Sequence, residues 1–376
     1  MAFILIVAGE NSGEKYGARL VHEFKRLNPS FQFFGIGGCR MKEEGVNLLY
    51  SIQDMGIVGG LEVVSHFPRL IKIFNHLQRE IRSKKPSAAV LIDSPDFNLR
   101  LAKKLKKYSI PILYYVSPTV WAWRKKRLKV IKKTVSKMLL IFPFEEKIYK
   151  NHEIPAKYIG HPLSEIINLS LTKEEFYQKY ELYPGQKIIA LMPGSRQSEL
   201  KFHLPVLLKA MVKIKAEFPV QFLLLKAENI EADLLEKYLK NAKSNLKILN
   251  NNKYEALAYA HLVLAACGTS NLEAALLGTP LIAFYRIFPL TYLFGIKLIK
   301  IKNYSIVNIL AGEKIIPELI QHNFTPENIF QETKKILGSE LIKSRMVENF
   351  SHLKKTLNKG QASLTAAQEL EKLLRF

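Results

Sequence analysis

The chain has 376 residues, with 56 Lys and Arg against 33 Asp and Glu, for a formal net charge of +23. At roughly 100–200 residues per domain the length predicts two domains, each large enough to bury a core; 48% hydrophobic and 24% charged residues argue against global disorder. Two cysteines, Cys39 and Cys267, exclude a disulfide framework, and the basic excess calls for an anionic partner, whether nucleic acid, a phosphate-bearing ligand or a membrane surface.

Residues 3–8 form an apolar run without a basic leader that ends in Gly9-Glu10-Asn11-Ser12-Gly13. This reads as a first strand and its loop, not as a signal peptide. No apolar run approaches the ~18–20 residues of a bilayer span, so a cytoplasmic location is expected. Short apolar runs at 31–36, 88–92, 112–116 and 138–142 predict further strands, with helical stretches at 13–27, 61–82 and 97–107. A second series starts after 160–182, with strands expected at 187–191, 220–225, 246–249, 262–265 and 281–284. Short strands alternating with longer amphipathic stretches predict two α/β halves with parallel sheets. The last ~35 residues read as polar-faced helices that pack on either half.

Ligands of open α/β sheets bind beyond the carboxyl ends of strands, so the loops there hold the candidates. After 88–92 come Asp93 and Asp96. Carboxylates at that place suit a general base that takes a proton from an attacking hydroxyl, and Asp93, nearer the strand, is favoured. The plainer alternative is N-capping of a helix that Pro95 helps to start. Glu10 and Glu14, after the first strand, are further cleft candidates. Both tryptophans, Trp121 and Trp123, follow the run 115–120, where aromatics suit stacking on a sugar or contact with acyl chains; core packing is the alternative. A dense basic stretch covers 124–133, and the lone His161 of Gly160-His161-Pro162 reads as structural. Residues 67–74 and 288–301 mix apolar bulk with base and suggest interfacial helices, or ordinary internal packing.

In the second half, Pro193-Gly194-Ser195-Arg196 lies between a strand and a helix. Glycine and serine allow close backbone approach, the helix start offers N–H groups, and Arg196 supplies a two-pronged donor suited to a diphosphate. A similar loop runs through Gly268, Thr269 and Ser270 to Glu273, which either accepts from ribose hydroxyls or caps its own helix. Asn308, in an apolar stretch, either orients a sugar or phosphate or satisfies a turn. The chain has no G-x-x-x-x-G-K-[ST] loop, no G-x-G-x-x-G at the first strand–helix turn and no Asp-x-Asp pair, which disfavours P-loop, dinucleotide and metal-diphosphate chemistry. A metal-free nucleotide-sugar site fits these absences best.

Taken in order, Ala8-Gly9-Glu10-Asn11-Ser12-Gly13-Glu14, Asp93-Ser94-Pro95-Asp96-Phe97-Asn98, Tyr115-Val116-Ser117-Pro118-Thr119-Val120-Trp121-Ala122-Trp123-Arg124, Gly160-His161-Pro162, Pro193-Gly194-Ser195-Arg196 and Gly268-Thr269-Ser270-Asn271-Leu272-Glu273 resemble the bacterial lipid-A-disaccharide synthases. The resemblance runs from the first strand to about Gly312. It implies an inverting, metal-independent hexosyltransferase of the GT-B fold, with two Rossmann-like domains whose parallel sheets face an interdomain cleft. On this reading 1–165 is the acceptor and membrane-facing domain, 166–345 binds the UDP-sugar, and helices in 346–376 cross back to the first domain. The implied reaction joins UDP-2,3-diacylglucosamine to 2,3-diacylglucosamine 1-phosphate, giving UDP and a β-1,6 disaccharide on the way to lipid A.

Carried over by position, Asp93 matches the family's essential aspartate, Arg196 its essential arginine and Asn308 a functionally important amide. The resemblance assigns Gly194, Ser195, Arg196, Gly268, Thr269, Ser270 and Glu273 to UDP, and Glu10, Ser12, Asp96 and Trp121 to the acceptor side. Glu14 stands where Asp is common and Asn11 where Thr is common. No cofactor or metal is expected. An anionic membrane surface at the inner face of the cytoplasmic membrane is the expected partner, a homodimer is among the expected assemblies, and nucleic acid is not expected. The rival enzyme is another UDP-sugar GT-B protein, such as a UDP-N-acetylglucosamine 2-epimerase or a transferase of cell-wall precursors.

Overall fold

The computed structural model describes residues 2–55, 62–122, 124–228, 230–239, 246–288 and 302–375, side chains 62–67 and 232 excepted. Trp123 and most of the stretch 288–301 therefore lie outside the described residues. The chain divides into two compact units, Met1–Glu165 together with Leu357–Phe376, and Ile166–Thr356.

The first unit is built on β1 (Ala2–Ala8), β2 (Phe31–Gly37), β3 (Asn47–Ser51), β4 (Ala88–Ile92), β5 (Ile112–Tyr115), β6 (Lys137–Leu140) and β7 (Ala156–Tyr158). These form one sheet in the order β3-β2-β1-β4-β5-β6-β7. Every pairing is parallel. A parallel sheet needs helices on both faces, so its central strands are apolar throughout. All five residues of β4, Ala-Ala-Val-Leu-Ile, are buried, and Leu5, Val7, Ala89 and Leu91 share one core cluster with Ile73, Leu77 and Ile81 of the helix Glu62–Lys84. Burying a side chain of that size contributes roughly 1.5–3 kcal/mol. On the other side, Gly17 lets the helix Asn11–Leu27 settle on the sheet: a Cβ there would stand 2.9 Å from Ile92 Cδ1.

The second unit repeats the plan with β8 (Lys187–Met192), β9 (Val220–Leu225), β10 (Leu246–Leu249), β11 (Leu262–Ala266), β12 (Leu281–Tyr285) and β13 (Glu318–Ile320), all parallel in the order β10-β9-β8-β11-β12-β13. The strands β3, β7 and β13 were not expected from the sequence. Each lies at the edge of its sheet, with only one neighbour, and each is short or half-exposed.

The last helix, Ala362–Leu374, packs on the helix Asn11–Leu27 of the first unit. Lys157 Nζ donates to Glu369 Oε1 at 2.9 Å, the Ser363 N–H donates to Glu165, and the His161 N–H donates to the Leu357 carbonyl at 3.0 Å.

Candidate active site

In both sheets the strand order reverses direction at one point, between β1 and β4 in the first unit and between β8 and β11 in the second. At such a point the connections leave to opposite sides and open a crevice at the carboxyl ends of the strands. The four loops that border the two reversals hold Glu10 and Ser12 after β1, Asp93 after β4, Gly194, Ser195 and Arg196 after β8, and Gly268, Thr269 and Ser270 after β11. Position in the sheet thus selects the same loops that residue chemistry does.

Around Asp93 the backbone is strained. Asp93 and Ser94 have φ of 48° and 45°, and Val116, after β5, has φ of 68°. Left-handed geometry in non-glycine residues costs on the order of 1–3 kcal/mol each and gathers at functional sites; for a β-branched residue it is a genuine outlier. Two side chains fix the strained turn. Asn98 Nδ2 donates to the carbonyls of Ile92 and Asp93 at 3.1 and 2.8 Å, and the Tyr114 hydroxyl donates to the Asp93 carbonyl at 2.7 Å. The following helix, Pro95–Lys107, has no side-chain cap, and Asp96 turns away to accept from Arg124 and Arg127 at 2.6 and 2.7 Å. Asp96 is therefore an exposed ion-pair partner that ties the basic stretch to this loop.

The other first-unit candidates divide. Glu10 is the half-buried N-cap residue of Asn11–Leu27, with no side-chain cap there, and Ser12 is half-buried in the first turn. Glu14 is buried, accepting from the Met41 N–H at 3.1 Å and from Arg40 at 3.3 Å, so it anchors the helix Cys39–Glu43 and does not line an open loop. Trp121 is half-buried and meets the Phe144 ring edge-on at 5.4 Å. His161 is buried among Tyr16 and Phe142, and burial pushes its ring down to about 3, consistent with a structural part. In 67–74, Ile73 enters the core and Phe74 packs on Phe97, while Arg69, Ile71 and Lys72 are exposed.

The loop after β8 differs from expectation. The N–H groups of Ser195 and Arg196 do not face outward for an anion; they donate to Glu199 Oε2 at 2.8 and 3.2 Å. Glu199 also accepts from Arg196 Nη1 at 3.2 Å and from the Tyr285 hydroxyl at 3.1 Å. Gly194, at φ 129°, is required here because a Cβ would run into the Glu199 carboxylate. Beneath, buried His203 bridges the Pro193 carbonyl and the Arg286 backbone, and burial lowers its ring below the usual range. Glu199 was not singled out from the sequence, although a carboxylate three residues after the N-cap is the capping-box signature. Arg196 remains the two-pronged donor of the loop, held from behind by Glu199.

After β11, Gly268 is exposed, Ser270 Oγ donates to the Ala266 carbonyl at 3.1 Å, and Asn271 Nδ2 donates to the carbonyls of Ala265 and Ala266. Glu273 is buried and ion-paired with Lys253, and it does not cap its own helix. Asn308 is 0% exposed: its Nδ2 donates to Ile316 O and Glu318 Oε1, and its Oδ1 accepts from the N–H groups of Ile315 and Ile316. Those four bonds make Asn308 a clamp for its loop. Among the described residues no cluster of three or more His, Cys, Asp or Glu is placed to hold a metal, and no helix is long and apolar enough to cross a membrane.

Comparison with known proteins bears on the family and the fold. A family model described as lipid-A-disaccharide synthetase matches residues 4–371. Lipid-A-disaccharide synthase of Solibacter usitatus is 37% identical over 376 residues, covering 99% of this chain and 98% of that protein, and that of Syntrophus aciditrophicus is 39% identical over 367 residues, covering 97% and 96%. Among solved structures, the UDP-GlcNAc 2-epimerase of Neisseria meningitidis bound to UDP-GlcNAc superposes with a TM-score of 0.68 at 12% identity, covering 99% of both chains. At that identity the likeness speaks to fold alone, and the fold is GT-B: two α/β units, each on a parallel sheet. The length of the family match, joined to the residues at both sheet reversals, places this chain in the lipid-A-disaccharide synthetase family.

Proposed function

We propose that the protein transfers 2,3-diacylglucosamine from UDP to the 6-hydroxyl of 2,3-diacylglucosamine 1-phosphate, forming the β-1,6 disaccharide phosphate and UDP. Family membership gives glycosyl transfer in lipid A disaccharide synthesis, with a UDP-sugar donor and a lipid acceptor. The observation that carries the residue roles is the strained, doubly clamped turn that presents Asp93 past β4.

In the proposed step the acceptor oxygen attacks the anomeric carbon as the bond from that carbon to the UDP oxygen breaks. Asp93 takes the hydroxyl proton as the oxygen becomes bonded. Arg196, braced by Glu199, stabilises the negative charge that develops on the departing diphosphate. The loop at Gly268, Thr269 and Ser270 is assigned to UDP, with Glu273 held by Lys253 as a wall of that loop. Asn308 acts indirectly, by fixing the chain around it. Glu10, Ser12 and Trp121 belong to the acceptor side of the first unit. Asp96 contributes there by pinning Arg124 and Arg127.

The same reading places the first unit at an anionic membrane on the inner face of the cytoplasmic membrane. On the helix Arg127–Thr134, Leu128 and Ile131 are buried while Lys129, Lys132 and Lys133 are exposed, next to exposed Lys125 and Lys126. A basic face of that kind gains roughly 1 kcal/mol per residue at an anionic leaflet.

Asp93→Asn and Arg196→Ala test the roles in a purified transferase assay with far-UV circular dichroism as the folding control. Each variant should fold and lose most turnover, on the order of 100-fold or more. Near-full activity of Asp93→Asn would remove the base assignment.

A further inference from the structure

Glu145 opens the short helix Glu145–Lys150 just past β6 and is 1% exposed, yet among the described residues no cation pairs with it. Other buried carboxylates of the first unit are neutralised, Glu14 by Arg40 and Glu369 by Lys157. Glu145 Oε2 is enclosed without a hydrogen-bond partner, and so is the indole Nε1 of Trp121, which faces it from the loop past β5. In that loop Ser117 Oγ stands 2.8 Å from the Tyr149 hydroxyl on the Glu145 helix. Asp93, Ser117 with Trp121, and Glu145 thus sit past the carboxyl ends of three adjacent strands, β4, β5 and β6.

An unpaired buried carboxyl is costly once ionised, and an apolar residue would fill the space at no such cost. Burial chiefly, with a smaller push from the charge of Asp93, raises this carboxyl to about 8, net of the lowering by the polar groups of Ser117, the Phe142 backbone and Trp121 that stand near it without bonding Oε2. It therefore carries its proton at neutral pH. A strongly perturbed group beside a strained turn is the pattern of a functional site.

We propose that Glu145 is the positioning residue that fixes the loop 117–121 beside Asp93, and that charging it disengages that loop. The proposal rests on the reading of Asp93 as the base. As the neutral acid, Glu145 adds no charge beside Asp93 and leaves the loop seated on it. Ionised, it adds a negative charge toward Asp93 with, among the described residues, no cation paired to Glu145 itself, and the relief is entry of water through a displaced loop. Among the described residues, few groups face Glu145. Asp93 faces it from the end of β4 and Tyr149, raised by burial, from its own helix, while Ser117 and Trp121 face it with uncharged groups. His161, packed on Phe142, is pushed down to about 3 and stays neutral across the window.

The test follows Trp121 emission in the full chain carrying Trp123→Phe, which leaves Trp121 as the one indole, from about pH 6 to pH 10 without substrate, alongside kcat/KM over the same range. The expected result is an emission change with a midpoint near 8, matched by a fall in kcat/KM above it. Glu145→Gln, the neutral isostere, should keep kcat/KM within about threefold at neutral pH and abolish both alkaline changes, whereas Glu145→Ala should lose roughly tenfold or more. A flat Trp121 titration, or an unchanged alkaline fall in Glu145→Gln, overturns the proposal. Should the Glu145 variants not fold, the titration with native Glu145 decides alone. Asp93→Asn keeps the two ideas apart: its turnover speaks to the base, and the substrate-free titration speaks to Glu145.

Discussion

Asn98 and Asn271 perform the same task in the two units. Each donates through Nδ2 to two successive carbonyls at the end of a strand, five and six positions before it: Asp93 and Ile92 for Asn98, Ala266 and Ala265 for Asn271. The strands they close, β4 and β11, occupy equivalent places beside the sheet reversals. One lock, used twice, holds the turn that presents Asp93 and the turn that opens the Gly268 loop.

Removing either lock takes one donor from each of two carbonyls, while Tyr114 still serves Asp93 and Ser270 still serves Ala266, so the cost is on the order of 1 kcal/mol. Asn98→Ala is expected to lower kcat more than the KM for donor, because it loosens Asp93. Asn271→Ala should raise the donor KM. Urea unfolding and steady-state kinetics on both variants check this split, and identical kinetic defects would count against separate roles for the two loops.

Asn308 is expected to act through stability. Its four bonds lie wholly inside the second unit, so Asn308→Ala should lower unfolding free energy by about 1–3 kcal/mol. Residual activity at low temperature should then track the folded fraction. A variant of native stability that has lost turnover would assign Asn308 a direct contact with substrate.

Two buried groups give stability opposite pH dependences. Glu145, raised from 4.5 to about 8, keeps its proton in the folded chain after the unfolded chain has released it. Its contribution is whole below about 4.5 and is lost as pH rises toward 8. His161, lowered from 6.5 to about 3, stays neutral in the folded chain while the unfolded chain takes up a proton, so stability is lost as pH falls from 6.5 toward 3. Each changes stability by about 1.4 kcal/mol per pH unit in its window, and the two offset one another where the windows overlap. Urea midpoints across pH should show a plateau between 4.5 and 6.5 with a decline on both sides, and Glu145→Gln should flatten the alkaline decline and tilt the plateau, so that stability rises with pH up to about 6.5 and then levels.

The exposed lysines of Arg127–Thr134 are expected to bind anionic lipid. Reversing Lys129, Lys132 and Lys133 to Glu should weaken sedimentation with phosphatidylglycerol vesicles by about 1 kcal/mol or more per residue. Raised salt should have a similar effect on the native chain. Folding should change little, because the three side chains are exposed and the ion pair lost, Lys132 with Glu153, is open to solvent. Unchanged vesicle binding would move membrane contact to another face.

Strands buried on both faces were legible in the sequence as unbroken apolar runs, and β1, β4, β8 and β11, which border the reversals, all belong to this kind. Of the edge strands, Leu246–Leu249 was legible, whereas Asn47–Ser51 and Glu318–Ile320 were not, since they mix polar and apolar residues as any half-covered loop does. Strand-end loops carried Asp93 and Arg196 plainly, because position and residue type coincide there. Their supports were hidden: Asn98, Asn271, Glu199 and Glu145 act through bonds that exist only after the turns have formed. For the same reason Glu14, Glu273 and Asn308 looked like open ligand groups, and packing turned them into internal partners.

The most direct measurement is mass spectrometry of the products formed by the purified protein from UDP-2,3-diacylglucosamine and 2,3-diacylglucosamine 1-phosphate in detergent, with Asp93→Asn in parallel. The expected spectrum contains the disaccharide phosphate and UDP with the native chain, and unreacted substrates with the variant. A native chain that yields only hydrolysed or epimerised donor, with no disaccharide, would contradict glycosyl transfer to the lipid acceptor.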